Sequence, residues 1–138
     1  MPKIRNIPFI DLSQKKEDFE KTTNKISRLI KSKNFIGGDE VIKFQENFAK
    51  FNGSKYCLGV ANGTDALEIA LESLDIPKNS EIIVPNFTFL SPAEAVIRGG
   101  YKLVLADINL EDFTISIESL KKLITKKTSA LIVVHLFG

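Results

Sequence analysis

The sequence predicts an α/β fold, a mostly parallel sheet flanked by helices. Two observations carry that expectation. From about residue 56 the chain alternates short apolar runs with amphipathic stretches, in the order β-α-β-α-β-α-β. The apolar runs also lack the polar alternation of a sheet with one wet face, so they read as strands covered on both sides and joined by right-handed crossovers. A content of 43% apolar residues is enough to build such a core.

Taken in order, Ile4 to Leu12 reads as an extended arm punctuated by Pro2 and Pro8. Ser13 opens a helical stretch to about Lys31, with Phe19, Ile26, Leu29 and Ile30 on one face. Phe35-Ile36-Gly37-Gly38 breaks it, and Asp39 is a plausible N-cap for a second helix that carries Val41, Phe44, Phe48 and Phe51 at helical spacing. Asn52-Gly53 ends that helix.

The first expected strand is Tyr56-Cys57-Leu58-Gly59-Val60, with Cys57 as a small core residue. A helix over Thr64 to Leu74 follows, with Leu67, Ala70, Leu71 and Leu74 on one face. Glu81-Ile82-Ile83-Val84-Pro85 is the second strand. Ser91-Pro92-Ala93-Glu94 has serine, proline and glutamate where an N-cap, N1 and N3 would fall, so it predicts a capping box at the start of the next helix, which Gly99-Gly100 closes. Lys102 to Ala106 is a strand, Ser116 to Ile124 a helix and Ala130 to Val134 the last strand. Residues 1–51 form a helical lead-in and residues 52–138 the α/β part.

Charge and composition narrow the class. With 19 Lys+Arg against 17 Asp+Glu, the net charge of +2 argues against a nucleic-acid coat or a polybasic membrane surface. One Cys excludes a disulfide framework within the chain, and one His with one Cys cannot make a structural zinc site. Residues 1–11 hold no apolar signal region and no apolar run is long enough to span a bilayer, so a cytoplasmic protein is expected. The triplets at Asn52, Asn62 and Asn86 resemble glycosylation acceptors and are better explained as turn chemistry.

In open α/β sheets ligands sit at the carboxyl ends of the strands, and three loops occupy that edge. Ala61-Asn62-Gly63-Thr64-Asp65 leads into a helix start whose free N–H groups suit a phosphate, with the Thr64 hydroxyl as a further donor. The plainer role is a tight turn with Thr64 or Asp65 as a cap, and local chemistry favours it. Neither a G-x-G-x-x-G nor a G-x-x-x-x-G-K-[ST] pattern occurs, so a phosphate monoester fits this loop better than a pyrophosphate. The second loop, Pro85-Asn86-Phe87-Thr88-Phe89-Leu90-Ser91, carries two aromatics: both can be core, or one can offer its face to an aromatic ring. The third is His135-Leu136-Phe137-Gly138. Its His can contact a ligand, but a hydrogen-bonded structural role is the better expectation. Asp107, Glu111 and Asp112 read as a solvated turn, and Lys121-Lys122 with Lys126-Lys127 as an exposed face.

Five stretches together resemble the N-terminal portion of the pyridoxal-phosphate-dependent sugar aminotransferases of the DegT/DnrJ/StrS family. They are Ile7-Pro8-Phe9-Ile10-Asp11-Leu12, Phe35-Ile36-Gly37-Gly38-Asp39-Glu40-Val41, Asn62-Gly63-Thr64-Asp65-Ala66-Leu67, Val84-Pro85-Asn86-Phe87-Thr88-Phe89 and Val134-His135-Leu136-Phe137-Gly138. The resemblance runs nearly the whole length. It implies the N-terminal part of the large domain of a fold-type I PLP-dependent transferase, with residues 52–138 as a partial PLP-binding domain. It also implies that Gly63, Thr64 and Asp65 form a cup for the phosphate of pyridoxal 5′-phosphate, with the Thr64 and Asp65 N–H groups as main donors. Phe89 would stack on the pyridine ring. The segment from Phe35 to Gly38 would lie near a homodimer interface, reaching toward the sugar nucleotide.

The family's acidic segment that holds the pyridine nitrogen, and its Schiff-base lysine, have no match in these 138 residues. No catalytic residue and no metal ligand is therefore assigned. The resemblance implies an aminotransferase of polysaccharide biosynthesis that moves an amino group, usually from glutamate, to a nucleotide-linked keto-sugar. The chain itself is expected to be an N-terminal fragment without activity. A non-catalytic module that binds a phosphorylated ligand, or regulates, is the alternative.

Overall fold

β1, Glu81–Pro85, lies in the middle of a three-stranded parallel sheet of order β2-β1-β3. The computed structural model describes residues 8, 10, 12, 13 and 15–137. The arm expected over residues 4–12 falls outside them apart from Pro8, Ile10 and Leu12. The chain divides into two compact units, one up to Gly59 and one from Val60 onward.

The first unit holds α1 (Lys16–Ser32) and α2 (Asp39–Asn52). The expected stripe of α1 is present, yet the helix buries none of its residues, and Phe19, Ile26 and Ile30 all stay more than half exposed. α2 starts one residue before Glu40, with Gly38 and not Asp39 in the cap position, and ends at Gly53. At φ 69° Gly53 takes the left-handed turn that glycine adopts without a Cβ penalty. Phe44, Phe48 and Phe51 form a ladder of ring contacts at 5.6 and 6.2 Å along α2.

Residues 56–60 are not a strand. A strand needs a neighbour for its N–H and C=O groups, and here the Gly59 N–H donates to Gln45 Oε1 at 2.8 Å while the Tyr56 carbonyl accepts from Ser54 Oγ. Among the described residues of this unit no strand stands beside the segment. Tyr56 and Leu58 are exposed and Cys57 is only half-buried, so the expected core cysteine is not found.

The second unit contains α3 (Gly63–Ser73), β1, α4 (Ser91–Arg98), β2 (Lys102–Ala106), α5 (Ile117–Leu123) and β3 (Thr128–Leu131). β1 and β2 have the bounds their apolar runs predict, paired in register from Glu81 with Lys102 to Pro85 with Ala106. All five residues of β1 are buried, as a central strand covered on both faces requires. Its pleat divides the core. Ile82 and Val84 face Leu71 of α3 and Ala95 and Val96 of α4, and Ile83 faces the opposite way, onto Ala106, Ile115 and the inner side of α5. Helices thus cover both faces of the sheet.

β3 lies earlier than Ala130–Val134. It starts at Thr128, a register shift falls between Glu81 and Ile82, and the last bond on that side is the Ile132 N–H to the Ile83 carbonyl at 2.9 Å. Pro85 ends the ladder because it has no N–H to give to a continuing neighbour. At the other end of β1, the Glu81 carboxylate is buried among its partners. Thr125 Oγ1 donates to Oε2 at 2.6 Å and Lys102 Nζ to Oε1 at 3.0 Å. The Thr125 hydroxyl first, and Lys102 second, hold its pKa below the ordinary glutamate range. Among the described residues no helix is long and apolar enough to cross a membrane.

Candidate functional site

The carboxyl edge of the sheet brings together the start of α3, the loop after β1 and the start of α4. Asn62 is the true N-cap of α3. Its Oδ1 accepts from the Asp65 N–H at 2.9 Å, and its Nδ2 donates to Asp65 Oδ2 at 3.1 Å. The cap is doubled as in a capping box, except that Asp65 answers the Asn62 side-chain amide and not the Asn62 backbone N–H. It follows that the Asp65 N–H, expected as a phosphate donor, is already used. The N–H groups of Gly63 and Thr64 have no hydrogen bond among the described residues, and they are the free donors at this helix start. A Cβ built on Gly63 would meet nothing within 4 Å, so open space adjoins the two amides.

Thr64 Oγ1 donates to Ser91 Oγ at 2.8 Å. Ser91 was expected to be an N-cap; instead it is the first residue of α4, with Leu90 in the cap position and no side-chain cap bond. The Glu94 carboxylate that was to complete the box lies 3.5 Å from Arg98 Nη1, and the Glu94 N–H bonds to the Leu90 carbonyl. Arg98 Nε also lies 3.2 Å from Glu68 Oε1, an ion pair that links α4 to α3.

In the loop after β1 the two aromatics part company. The Phe87 ring packs on Phe113 at 5.6 Å, and Phe113 in turn meets Phe137 edge-on at 5.3 Å. Neither ring packs in a core cluster, Phe87 being about half exposed and Phe89 75% exposed, so the expectation that both rings are core does not hold. Between them the Thr88 hydroxyl oxygen is buried without a hydrogen-bond partner among the described residues. Such a group costs about 1–3 kcal/mol and tends to mark a functional or solvated position. Sequence reasoning passed over Thr88, although it stands in the middle of the Phe87-Thr88-Phe89 stretch.

The other candidates separate from this edge or lose their expected role. His135 is exposed and makes no hydrogen bond among the described residues, so it is not a satisfied structural histidine. Asn86 Nδ2 donates to Asp107 Oδ1 at 2.9 Å and ties the ends of β1 and β2. Asn86, Phe87, Asp107, Ser119 and Lys122 line an open concavity of about 630 Å³ that includes neither Thr64 nor Phe89. Asp112 caps a local turn. The Thr114 N–H at 2.9 Å, then its hydroxyl at 2.8 Å, keep the Asp112 carboxyl below its ordinary pKa. In the first unit, Lys25, Arg28, Gly37, Gly38 and Lys43 border a second hollow of about 450 Å³.

The model of the DegT/DnrJ/EryC1/StrS aminotransferase family matches residues 16–138, nearly the whole chain. The chain belongs to that family. Its sequence is 37% identical over 133 residues to dTDP-3-amino-3,6-dideoxy-alpha-D-galactopyranose transaminase of Aneurinibacillus thermoaerophilus, covering 96% of this chain and 37% of that protein. It is 34% identical over 134 residues to a pleiotropic regulatory protein of Geobacillus stearothermophilus, covering 96% of this chain and 36% of that protein. Among solved structures, S. venezuelae DesV in complex with a ketimine intermediate superposes with a TM-score of 0.84 at 33% identity, over 96% of this chain and 36% of that one. The fold is therefore the N-terminal part of the DegT/DnrJ/EryC1/StrS aminotransferase fold, and the chain spans about a third of the length of the curated relatives it matches.

Proposed function

We propose that the protein seats pyridoxal 5′-phosphate at the carboxyl edge of its sheet and serves a nucleotide-sugar aminotransferase of polysaccharide biosynthesis. The observation that carries this is the pairing, in a chain of this family, of an open helix start at Gly63 and Thr64 with the uncovered ring of Phe89. The free Gly63 and Thr64 N–H groups, at the positive end of α3, would hold the phosphate. Asp65 contributes through its N–H and carboxylate, which lock Asn62 and keep the two preceding amides oriented. Phe89 would lie against the ring, and its exposed face has no competing partner in the core. Bound there, pyridoxal phosphate supplies an electron sink that lets an amino group pass from an amino acid, with glutamate first in line, to a keto-sugar.

These residues bind and orient; none of the 138 is assigned the proton-moving step. The 138 residues by themselves are accordingly expected not to transaminate. A cytoplasmic homodimer completes the reading, with the segment from Phe35 to Gly38 near its interface, where the Phe35 and Ile36 side chains are exposed.

Titration of the full-length gene product with pyridoxal 5′-phosphate, then assay with glutamate and a dTDP-linked keto-sugar, tests the proposal. Saturable binding with amino-sugar formation is expected, and absence of binding overturns it. The similarity to a pleiotropic regulatory protein favours one other outcome, a module that binds the phosphorylated ligand and does no chemistry. Saturable binding with no turnover on any nucleotide sugar would select it.

A further inference from the structure

The geometry points to Ser91 as a positioning residue for the phosphate, acting through Thr64, an inference that rests on the cofactor assignment above. The Thr64 and Ser91 hydroxyls lie 2.8 Å apart in a part-buried setting, at the first turns of two helices packed side by side. A hydroxyl carries one proton and can accept at its oxygen while donating. With its proton on Ser91, Thr64 has nothing to give an anion. Ser91 Oγ–H, for its part, has no acceptor of its own among the described residues.

Turning both hydroxyls about their C–O bonds reverses the pair: Ser91 donates to Thr64, and Thr64 donates outward to a phosphate oxygen beside its own N–H. No heavy atom need move. The charged acceptor makes the outer bond the stronger one, and the inner bond reinforces it by polarising the Thr64 hydroxyl. Ser91 thus supplies the proton that frees the Thr64 proton. It also fixes the Thr64 rotamer, so that less freedom is lost when the phosphate arrives. The sequence by itself gave Ser91 a different duty, and only its distance from Thr64 assigns this one.

The test compares dissociation constants of pyridoxal 5′-phosphate and of pyridoxal, which lacks the phosphate, by absorbance titration of the full-length gene product. Ser91→Ala is expected to weaken binding of the phosphorylated form by about 3- to 10-fold, the range of one weakened hydrogen bond, and to leave pyridoxal unchanged. Ser91→Thr, which keeps a hydroxyl, should restore binding. In a Thr64→Val background Ser91→Ala should have no further effect. Equal losses for both ligands, or an undiminished loss in that background, would overturn the inference and make Ser91 merely structural. A parent protein that prefers pyridoxal 5′-phosphate and is indifferent to Ser91→Ala also overturns it, while leaving the cofactor assignment standing. A parent protein that binds both ligands alike removes the phosphate cup itself, and this inference with it.

Discussion

Thr64 Oγ1 and Ser91 Oγ meet at 2.8 Å across 27 positions of sequence, and their bond joins the first turn of α3 to the first residue of α4. The two helices pack on the same face of the sheet through Leu71, Ala95 and Val96. A change in the core below is therefore transmitted to the spacing of the two hydroxyls, and the candidate phosphate site depends on the packing of β1.

Phe89 should separate binding from stability. Because its ring is largely exposed, Phe89→Ala is expected to leave the urea midpoint nearly unchanged, while losing ring stacking of about 0.5–1.5 kcal/mol, a 2- to 10-fold weaker affinity for pyridoxal 5′-phosphate. Phe87→Ala should behave in the reverse sense, because it breaks the contact with Phe113. Paired titrations and melts of the two variants decide the matter. A large drop in stability for Phe89→Ala would place that ring in the core.

Asn62 caps α3 and orients the loop ahead of it. Asn62→Ala should cost about 1 kcal/mol, the usual loss for a cap, and Asn62→Asp should recover most of the cap bond while setting a like charge beside Asp65. Chemical denaturation measures both. Equal stabilities for Asn62→Ala and the parent would mean that the cap carries no weight.

Glu81 makes stability fall on the acid side. Its folded-state pKa is depressed, chiefly by the Thr125 hydroxyl and then by Lys102. The stabilisation is complete above the ordinary glutamate pKa of 4.5 and is lost as pH falls through the lower folded value. Glu81→Gln should be less stable than the parent at pH 7, with the gap closing below about pH 4.5. Asp112, also depressed, adds a component that this variant retains. Denaturation midpoints measured between pH 7 and pH 3 for both proteins give the answer. Parallel curves would show that Glu81 is uncoupled from folding.

Ile83 is fully buried on the α5 side of β1. Ile83→Val is expected to cost about 1 kcal/mol and Ile83→Ala about 2–5 kcal/mol, through lost transfer energy and the cavity left behind. Leu110→Ala, at an exposed position of the same unit, should stay within about 0.5 kcal/mol. Similar losses at the two sites would contradict the division between core and surface.

β1 and β2 were legible to the residue because each is a short apolar run between turn signals, although only the central β1 is buried along its whole length, while the edge strand β2 leaves Lys102 and Leu105 exposed. The start of α5 was equally legible, since the cap bond from the Ser119 N–H to Ser116 spans three residues. The 56–60 segment has the same apolar character and is no strand, because pairing is a property of the neighbour and no run of residues contains it. β3 moved for a related reason: its limits follow the donors of β1, down to the missing N–H of Pro85.

At the candidate site the division is the same. Residue order was enough to read the α/β class, the helix start around Gly63, Thr64 and Asp65, and the aromatic loop ending at Phe89. These are local patterns of period, turn and cap, written within a few residues. Packing settled that Asn62 accepts the Asp65 N–H, that Phe87 meets Phe113 while Phe89 stays more exposed, and that the Thr64 hydroxyl lies against Ser91. Each of those depends on which groups come within about 3 Å of one another, as a hydrogen bond requires, or on which faces are left uncovered. Only the packing of distant segments fixes such distances.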